Sequence, residues 1–347
     1  MYKVGVDLGG TNIAVGVVDE KYNIIGKGKV KTNAPRPAED IFADIKKAID
    51  IAVSDAGLTM DDIESVGVGT PGSVNQDTGI IEFSNNLAFN NVPAKKMLED
   101  LTGKPCYFEN DANAAALGEA YAGAGNGAKN FVAVTLGTGV GSGIIVDGNV
   151  ISGMNFTGGE MGHTVIVVDG IPCNCGRNGC WESYASATAL IAQTKAKMKE
   201  CPDSKMWELC DGDINKVSGR TAFNAMYAGD EAGKEVVDKY RYYVAVGIIN
   251  IINIFQPEVL CVGGGIILLR FDQARRLIAV CLHLVDLLGR CAARNDRAGL
   301  RLKHQSNILQ VEREILRALF HHKRQSERVF RHAVLLRDKR ARALPRR

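Results

Sequence analysis

Hydrophobic and polar residues alternate at the start of the chain in the way that is typical of β-strands. Val4, Val6 and Leu8 fall on one face, and the alternation resumes after a glycine turn at residues 9–12. This pattern predicts a strand, a turn and a second strand. The same order returns at residues 131–146, where a second glycine turn divides two apolar segments. The two stretches form a weak internal repeat, which indicates two related halves.

Helical and extended patterns alternate through the rest of the first 265 residues. Apolar residues at helical spacing predict a helix near residues 39–56. Further strands are predicted near residues 65–69, 106–109 and 258–262, and further helices near residues 110–122, 183–199 and 233–255. Strands mixed with helices in two similar halves predict an α/β protein with two lobes. We expect a small lobe over residues 1–112 and a large lobe over residues 113–265.

The composition changes abruptly near residue 265. The chain has 347 residues and a net charge of +3. Its last 82 residues, 266–347, hold 20 of the 42 lysines and arginines, but only 7 of the 39 acidic residues and two of the 38 glycines. We interpret this segment as an atypical basic tail, a displaced reading frame or another foreign continuation, in preference to an evolved extension. Charge alone would suggest nucleic-acid binding, but stacking elements are missing from the tail, so we expect no nucleic-acid partner.

Cysteine usage and apolar segments indicate the compartment. Nine cysteines, an odd number in a chain too long to need disulfides for stability, favour a reduced protein. The apolar stretch at residues 244–255 is too short to span a bilayer and contains two asparagines. The first strand begins too early for a signal peptide. We therefore expect a cytoplasmic protein with no membrane partner.

The two glycine turns expose backbone N–H groups that suit phosphate oxygens. For one turn alone, a tight hairpin that needs positive φ is the simpler interpretation. Neither a Walker loop nor a dinucleotide-binding turn matches, since the latter requires a helix after the glycines. Two turns and a third glycine cluster at residues 263–265 favour a nucleotide held between two lobes, and Asp7 beside the phosphates would require a cation such as Mg²⁺. The residues that we assign to the nucleotide and its cation are Asp7, Gly9, Gly10, Thr11, Asn12, Gly137, Thr138, Gly139, Gly263 and Gly264.

An acidic residue lies where a strand is predicted to end and a helix to begin. Asn110 and Asp111 are both favoured helix caps, and the local pattern alone favours this structural role. In the alternative, the helix dipole keeps Asp111 ionised. Its carboxylate would then accept a hydroxyl proton late in a loose phosphoryl-transfer transition state. The residues by themselves leave both interpretations open.

Three cysteines lie within eight residues, at Cys173, Cys175 and Cys180, and His163 precedes them. Three thiolates and one imidazole form a ligand set of structural zinc. The residues between the cysteines are too polar for a cluster of buried thiols, so we predict a structural Zn²⁺. The metal would occupy one ring nitrogen of His163 and leave the other as a donor.

Two glutamates flank this predicted metal site. Glu160 lies three residues before the histidine, and Glu182 lies two residues after the last cysteine. Both carboxylates would accept hydrogen bonds from neighbouring hydroxyl groups. The site would then shape a binding pocket without taking part in the chemistry.

Six segments together resemble the ROK family of sugar kinases and repressors, and within it the bacterial glucokinases. They are DLGGTN, GVGTPGSVN, ENDANAAALGE, TLGTGVGSGIIVDG, GGEMGH and CNCGRNGCWE, spread over about residues 4–265. The resemblance implies a two-lobed actin/hexokinase-like (ribonuclease H-like) fold that closes over ATP and a hexose. It also implies transfer of a phosphoryl group from ATP to the sugar 6-hydroxyl, and a homodimer.

By the same resemblance, Asp111 is the catalytic base. The residues that would hold sugar hydroxyls are Asn86, Asn110, Asp111, Glu160, His163 and Glu182. Glucose is the expected hexose, with N-acetylglucosamine, mannose and fructose as alternatives. A sugar-binding protein with impaired catalysis is a further alternative, because the tail shows no segment that would enclose adenine. Repressor activity is not expected, because no helix-turn-helix precedes the first glycine turn.

Overall fold

The computed structural model describes residues 1–265 and 280–283, and it has the α/β architecture that the sequence predicts. The strands are β1 (Tyr2–Leu8), β2 (Asn12–Val18), β3 (Ile24–Lys31), β4 (Ile63–Thr70), β5 (Ser73–Asn75), β6 (Ile80–Ser84), β7 (Phe89–Val92), β8 (Cys106–Asn110), β9 (Phe131–Leu136), β10 (Val140–Val146), β11 (Asn149–Val150), β12 (Val259–Gly263) and β13 (Val280–His283). The helices are α1 (Ala38–Asp55), α2 (Ala94–Thr102), α3 (Asp111–Tyr121), α4 (Glu182–Ala185), α5 (Ala187–Glu200), α6 (Thr221–Tyr227) and α7 (Glu231–Phe255). Short 3₁₀ turns lie at Met60–Asp62, Met161–His163, Glu208–Cys210 and Ile214–Lys216.

The first sheet has the strand order β3-β2-β1-β4-β8. Strands β1, β2 and β3 pair antiparallel, whereas β4 pairs parallel with both β1 and β8. The predicted alternation places Val4, Val6 and Leu8 in the core beneath α1. The apolar face of α1, including Ile41 and Ile45, is fully buried against them. The alternating sequence pattern is therefore the consequence of a sheet with one covered face.

The second sheet repeats this arrangement in the order β11-β10-β9-β12-β13. Strands β9 and β10 pair antiparallel and β9 and β12 pair parallel, as β1, β2 and β4 do in the first sheet. The two sheets differ at one edge, where β13 pairs antiparallel with β12 while its counterpart β8 is parallel to β4. A large core formed with α5, α6 and α7 covers this sheet. The two similar halves that the sequence predicts are confirmed.

A third, smaller sheet of three antiparallel strands, β5-β6-β7, follows β4. It was not predicted from the sequence, and neither were β3, α2 and α6. The turn between β6 and β7 carries Asn86, one of the expected sugar ligands. None of the helices within residues 1–265 is long and apolar enough to cross a membrane.

The continuous helix predicted over residues 183–199 is wrong in one respect, because the structure has two helices there. The chain is extended at Ser186, between α4 and α5. The Ser186 hydroxyl caps α5 by accepting a hydrogen bond from the N–H of Ala189.

Two further predictions are not tested by the structure. The interpretation of residues 266–347 as a foreign tail concerns residues outside the described part of the chain, apart from the backbone pairing of β13. The division into lobes at residue 112 stays a prediction.

Helix α3 contacts strands of both large sheets. Glycines make this close approach sterically allowed. A Cβ atom added to Gly69 in β4 would lie 3.2 Å from the Cβ of Ala114, and one added to Gly143 in β10 would lie 2.7 Å from the carbonyl oxygen of Ala112. The helix that begins at Asp111 is therefore held between the two halves of the molecule.

We expect Gly143→Ala to destabilise the fold, because the new methyl group collides with α3 at Ala112 and Ala116. Overpacking of this kind costs about 1–3 kcal/mol. Gly118→Ala is the matched control: Gly118 lies within α3, and its added Cβ would meet no atom within 4 Å. This control should gain roughly 0.4–1 kcal/mol from the lower entropy of the unfolded chain. Urea unfolding of both variants measures the two effects, and equal stability of the pair would contradict the packing argument.

Candidate functional site

The sequence leaves two roles open at the start of α3, a helix cap and a carboxylate that accepts a proton. The structure distinguishes Asn110 from Asp111 in this respect. Asn110 is the helix cap, since its side-chain oxygen accepts hydrogen bonds from the N–H groups of Ala112 and Asn113. Its amide nitrogen donates to the carbonyl oxygen of Gly72 at 3.1 Å. Asp111 is the first helical residue, and its carboxylate is exposed to solvent. The cap therefore does not require Asp111.

The carboxylate of Asp7, at the end of β1, lies near that of Asp111. Partial burial raises the pKa of Asp7 above its ordinary value, and the negative charge of Asp111 raises it further. The backbone supports this proximity, because a Cβ at Gly69, paired with Asp7 in the sheet, would lie 3.7 Å from the Cα of Asp111. Two like charges side by side are a site that attracts a cation.

The first glycine turn begins two residues after Asp7 and is fixed from two sides. Thr32 donates its hydroxyl to the carbonyl oxygen of Gly9 at 2.6 Å. Gly10 packs against the turn that carries Asn86, whose carbonyl oxygen would lie 3.3 Å from an added Cβ. None of the four glycines at positions 9, 10, 137 and 139 has a left-handed φ. Positive φ therefore does not explain these glycines. A Cβ at Gly9, Gly10 or Gly139 would crowd a neighbouring group, whereas one at Gly137 would meet no atom within 4 Å.

The second glycine turn, between β9 and β10, lies against Glu182. The Glu182 carboxylate accepts a hydrogen bond from the N–H of Val140 at 2.8 Å and occupies the space beside Gly139. The carbonyl oxygen of Gly137 accepts from the N–H of Ala187, at the start of α5, and Thr188 donates its hydroxyl to the carbonyl oxygen of Thr138.

The third glycine cluster packs on the same turn. Gly263 ends β12, and Gly264 has a φ of 101°. A Cβ added to Gly264 would lie 2.6 Å from the backbone nitrogen of Leu136, at the end of β9. The structure thus brings the second and third glycine clusters together.

Glu160 lies in a tight turn between the sheet and the histidine of the predicted metal site. Burial raises the pKa of the Glu160 carboxyl, as do the charges of Asp111 and Glu182, while His163 opposes them. The main chain continues into a 3₁₀ turn in which the N–H of His163 donates to the carbonyl oxygen of Glu160 at 3.1 Å. Glu160 and His163 therefore belong to one short segment, and the charge of Asp111 acts on its carboxylate.

The four predicted metal ligands converge. The Sγ of Cys173 lies 3.6 Å from the Nδ1 of His163, and the Sγ atoms of Cys175 and Cys180 are 3.6 Å apart. All four ligand atoms lie within 4.8 Å of one another. Ligand distances of about 2.3 Å for sulfur and 2.0 Å for nitrogen place the corners of a tetrahedron of three sulfurs and one nitrogen about 3.5–3.8 Å apart. The residues present therefore fit a structural Zn²⁺, with the Nε2 atom of His163 left for another partner.

Trp181 anchors the end of this cysteine segment, a role that the sequence pattern does not predict. Its ring is completely buried and fills a space over Gly247 in α7, where an added Cβ would collide with the indole. Its Nε1–H donates to the carbonyl oxygen of Tyr243 at 2.8 Å. A buried tryptophan between Cys180 and Glu182 thus fixes a metal ligand on one side and a carboxylate on the other.

Comparison with known proteins identifies relatives of this chain. The family model described as ROK family matches residues 3–274. A glucokinase of Halalkalibacterium halodurans is 39% identical over 265 residues, which are 76% of this chain and 80% of that protein. The crystal structure of a ROK family glucokinase from Streptomyces griseus in complex with glucose and AMPPNP has a TM-score of 0.64 at 36% identity, and the match covers 78% of this chain and 85% of that one. A ROK hexokinase from Thermus thermophilus has a TM-score of 0.64 at 32% identity, covering 77% and 83%.

We predict one tightly bound zinc per chain. Cys175→Ser should lower the zinc content severalfold, because a hydroxyl is a poor replacement for a thiolate ligand. Cys201→Ser, at a half-buried cysteine outside the cluster, should retain the metal. Elemental analysis of the purified proteins measures this directly. A wild-type chain without zinc, or equal zinc in both variants, would contradict the assignment.

The raised pKa of Asp7 predicts how its replacement changes stability with pH. The folded chain holds a proton at Asp7 more readily than the unfolded chain, so the stabilisation from this proton is complete below the ordinary pKa of 3.8. It is lost as the pH rises through the higher folded-state value. At neutral pH the charged Asp7 therefore lowers stability, and Asp7→Asn should raise the melting temperature there. This advantage should fade on acidification.

Asp19→Asn is the control of opposite sign. Hydrogen bonds from the side chain and backbone of Asn23 lower the pKa of Asp19. Its charged form stabilises the fold above the ordinary pKa, and this contribution is lost as the pH falls through the lowered folded-state value. The variant should therefore melt below the wild type at neutral pH. Thermal unfolding between pH 3 and pH 8 checks both signs, and a shift in the same direction for both variants would refute the interpretation.

Proposed function

The chain belongs to the ROK family, and we propose that it phosphorylates a hexose with ATP, with glucose as substrate and glucose 6-phosphate as product. The position of Asp111 carries this proposal: its exposed carboxylate begins α3, and its negative charge acts on both Asp7 and Glu160. The glucokinases among the relatives support the choice of glucose.

Asp111 is the general base of the proposed reaction. Its carboxylate lies at the N-terminal end of α3, which is the positive end of the helix dipole. It accepts a hydrogen bond from the N–H of Ala112 at 2.9 Å, which restricts the side-chain orientation. In phosphoryl transfer the hydroxyl proton leaves late, so orientation of the acceptor matters more than its basicity. Asp111 would thus receive the proton of the sugar 6-hydroxyl.

The sugar would occupy the side of Asp111 that faces Glu160. Glu160 and Glu182 supply carboxylate acceptors, and His163 offers its Nε2 atom because Nδ1 faces Cys173. Asn86 would contribute from the turn beside Gly10. The side chain of Asn110 already has backbone partners at both ends. Its contribution to sugar binding stays a prediction.

The nucleotide would occupy the side of Asp111 that faces Asp7 and the glycine turns. Within the described residues, the backbone N–H groups of Gly10 and Thr11 donate to no other residue, so both are free for phosphate oxygens. Asp7 would hold Mg²⁺, which on binding offsets the charge of the transferred phosphoryl group. The residues around the second and third glycine clusters would complete the phosphate site.

A sugar-binding protein without turnover is the second candidate. The family match ends at residue 274, whereas the chain continues to residue 347. The segment that would enclose adenine is therefore not identified. Binding of glucose without ATP consumption would support this candidate.

Assembly as a homodimer also stays a prediction.

We predict that Asp111→Ala lowers kcat by about 10²–10⁴-fold, the usual contribution of a general base. The affinity for glucose should change much less. Glu231→Ala is the matched control, because Glu231 is likewise the first residue of a helix, α7, that is capped by its predecessor Asp230. A coupled assay with a panel of hexoses measures kcat and KM. Near-normal kcat in Asp111→Ala would reduce Asp111 to a structural role.

A further inference from the structure

Ser142 lies in the middle of β10, and only 6% of it is exposed. Its hydroxyl makes two hydrogen bonds, both to the backbone of the turn that carries Glu160. The Oγ atom donates to the carbonyl oxygen of Gly159 at 2.5 Å and accepts from the N–H of Met161 at 3.0 Å. Ser142 therefore contacts the peptide groups on both sides of Glu160.

These two peptide groups determine the backbone conformation of Glu160. Its φ of −73° and ψ of 65° are those of an inverse γ-turn. One hydrogen bond closes this turn, from the N–H of Met161 to the carbonyl oxygen of Gly159 at 2.8 Å. The Ser142 hydroxyl bonds to the same two groups. Ser142 thus attaches this three-residue turn to the sheet, through the same two groups that the turn's own hydrogen bond joins.

The neighbours of Ser142 in β10 show how one strand contacts both α3 and the turn that carries Glu160. Side chains alternate between the faces of a strand, so Gly141 and Gly143 point away from Ser142. On their face α3 packs closely, since a Cβ at Gly141 would lie 3.6 Å from the Cβ of Ala112. One strand thereby holds the helix of Asp111 on one face and the turn of Glu160 on the other.

We propose that Ser142 is a positioning residue for hexose binding, and that it acts by fixing the backbone of Glu160. The effect continues to His163, whose N–H donates to the carbonyl oxygen of Glu160. The proposal rests on the proposed function, which assigns Glu160 and His163 to the sugar. Ser142 itself is assigned no contact with either substrate.

The test compares Ser142→Ala with Ser204→Ala. Ser204 is a close match: it is 7% exposed, its hydroxyl donates to Asp230 at 3.1 Å, and it accepts from the N–H of Met206 at 3.2 Å. Each alanine variant loses two hydrogen bonds of a buried hydroxyl, so both should lower the melting temperature. Ser142→Ala alone should raise the Kd and the KM for glucose, by about three- to tenfold. The KM for ATP should stay within about twofold of wild type in both variants.

Glucose binding is measured by calorimetry without nucleotide, and the kinetics by a coupled assay. Ser142→Cys serves as a second variant if Ser142→Ala does not fold, because a thiol fills the site but is a weak donor; it should also weaken glucose binding. Unchanged glucose affinity in a folded Ser142 variant, with only stability lost as in Ser204→Ala, would overturn the positioning role. A wild-type chain that binds no hexose would instead overturn the proposed function.

Discussion

The close approach of α3 to both large sheets is the constraint on which the site depends. Strands separated by more than sixty residues present glycines, Gly69 and Gly143, to the alanine-rich helix. Larger side chains at these positions would move the helix away from one sheet or the other. Because the helix begins at Asp111, its packing also sets the distance from this carboxylate to Asp7 and to Glu160. The packing of α3 thus determines both the structure of the core and the geometry of the proposed chemistry.

The segment between His163 and Glu182, which contains the three cysteines, must also be held in place, although it lies in a part of the chain with little regular structure. Its backbone forms only isolated bridges, so it gains little support from sheet or helix hydrogen bonds. Convergence of the four ligands and burial of Trp181 supply that support. As a result Glu182 reaches the second glycine turn and bonds to Val140, so the segment touches both the proposed sugar and phosphate sides. Zinc would act here through structure, by orienting His163 and Glu182.

The sequence predicts those parts of the fold where burial imposes a pattern on side chains. Strands β1, β2, β9 and β10 and helix α1 follow such patterns. Strand β3 escaped prediction because its buried positions are Gly26 and Gly28, which let α1 approach the backbone and leave no apolar alternation. Trp181 escaped because its partner, Gly247, lies far along the chain and gives no local signal. The ligand set was predictable from spacing, whereas the contacts of Asn110 and Ser142 depend on tertiary structure.

A crystal structure of the full chain with glucose and a non-hydrolysable ATP analogue tests the central claim most directly. We predict that the 6-hydroxyl oxygen lies about 2.6–3.2 Å from the Asp111 carboxylate, the reach of a general base. The γ-phosphate should face this oxygen from the side of Asp7, and Glu160 should bond to other sugar hydroxyls. A sugar bound with its 6-hydroxyl away from Asp111, or a γ-phosphate on the side of Glu160, would contradict the account.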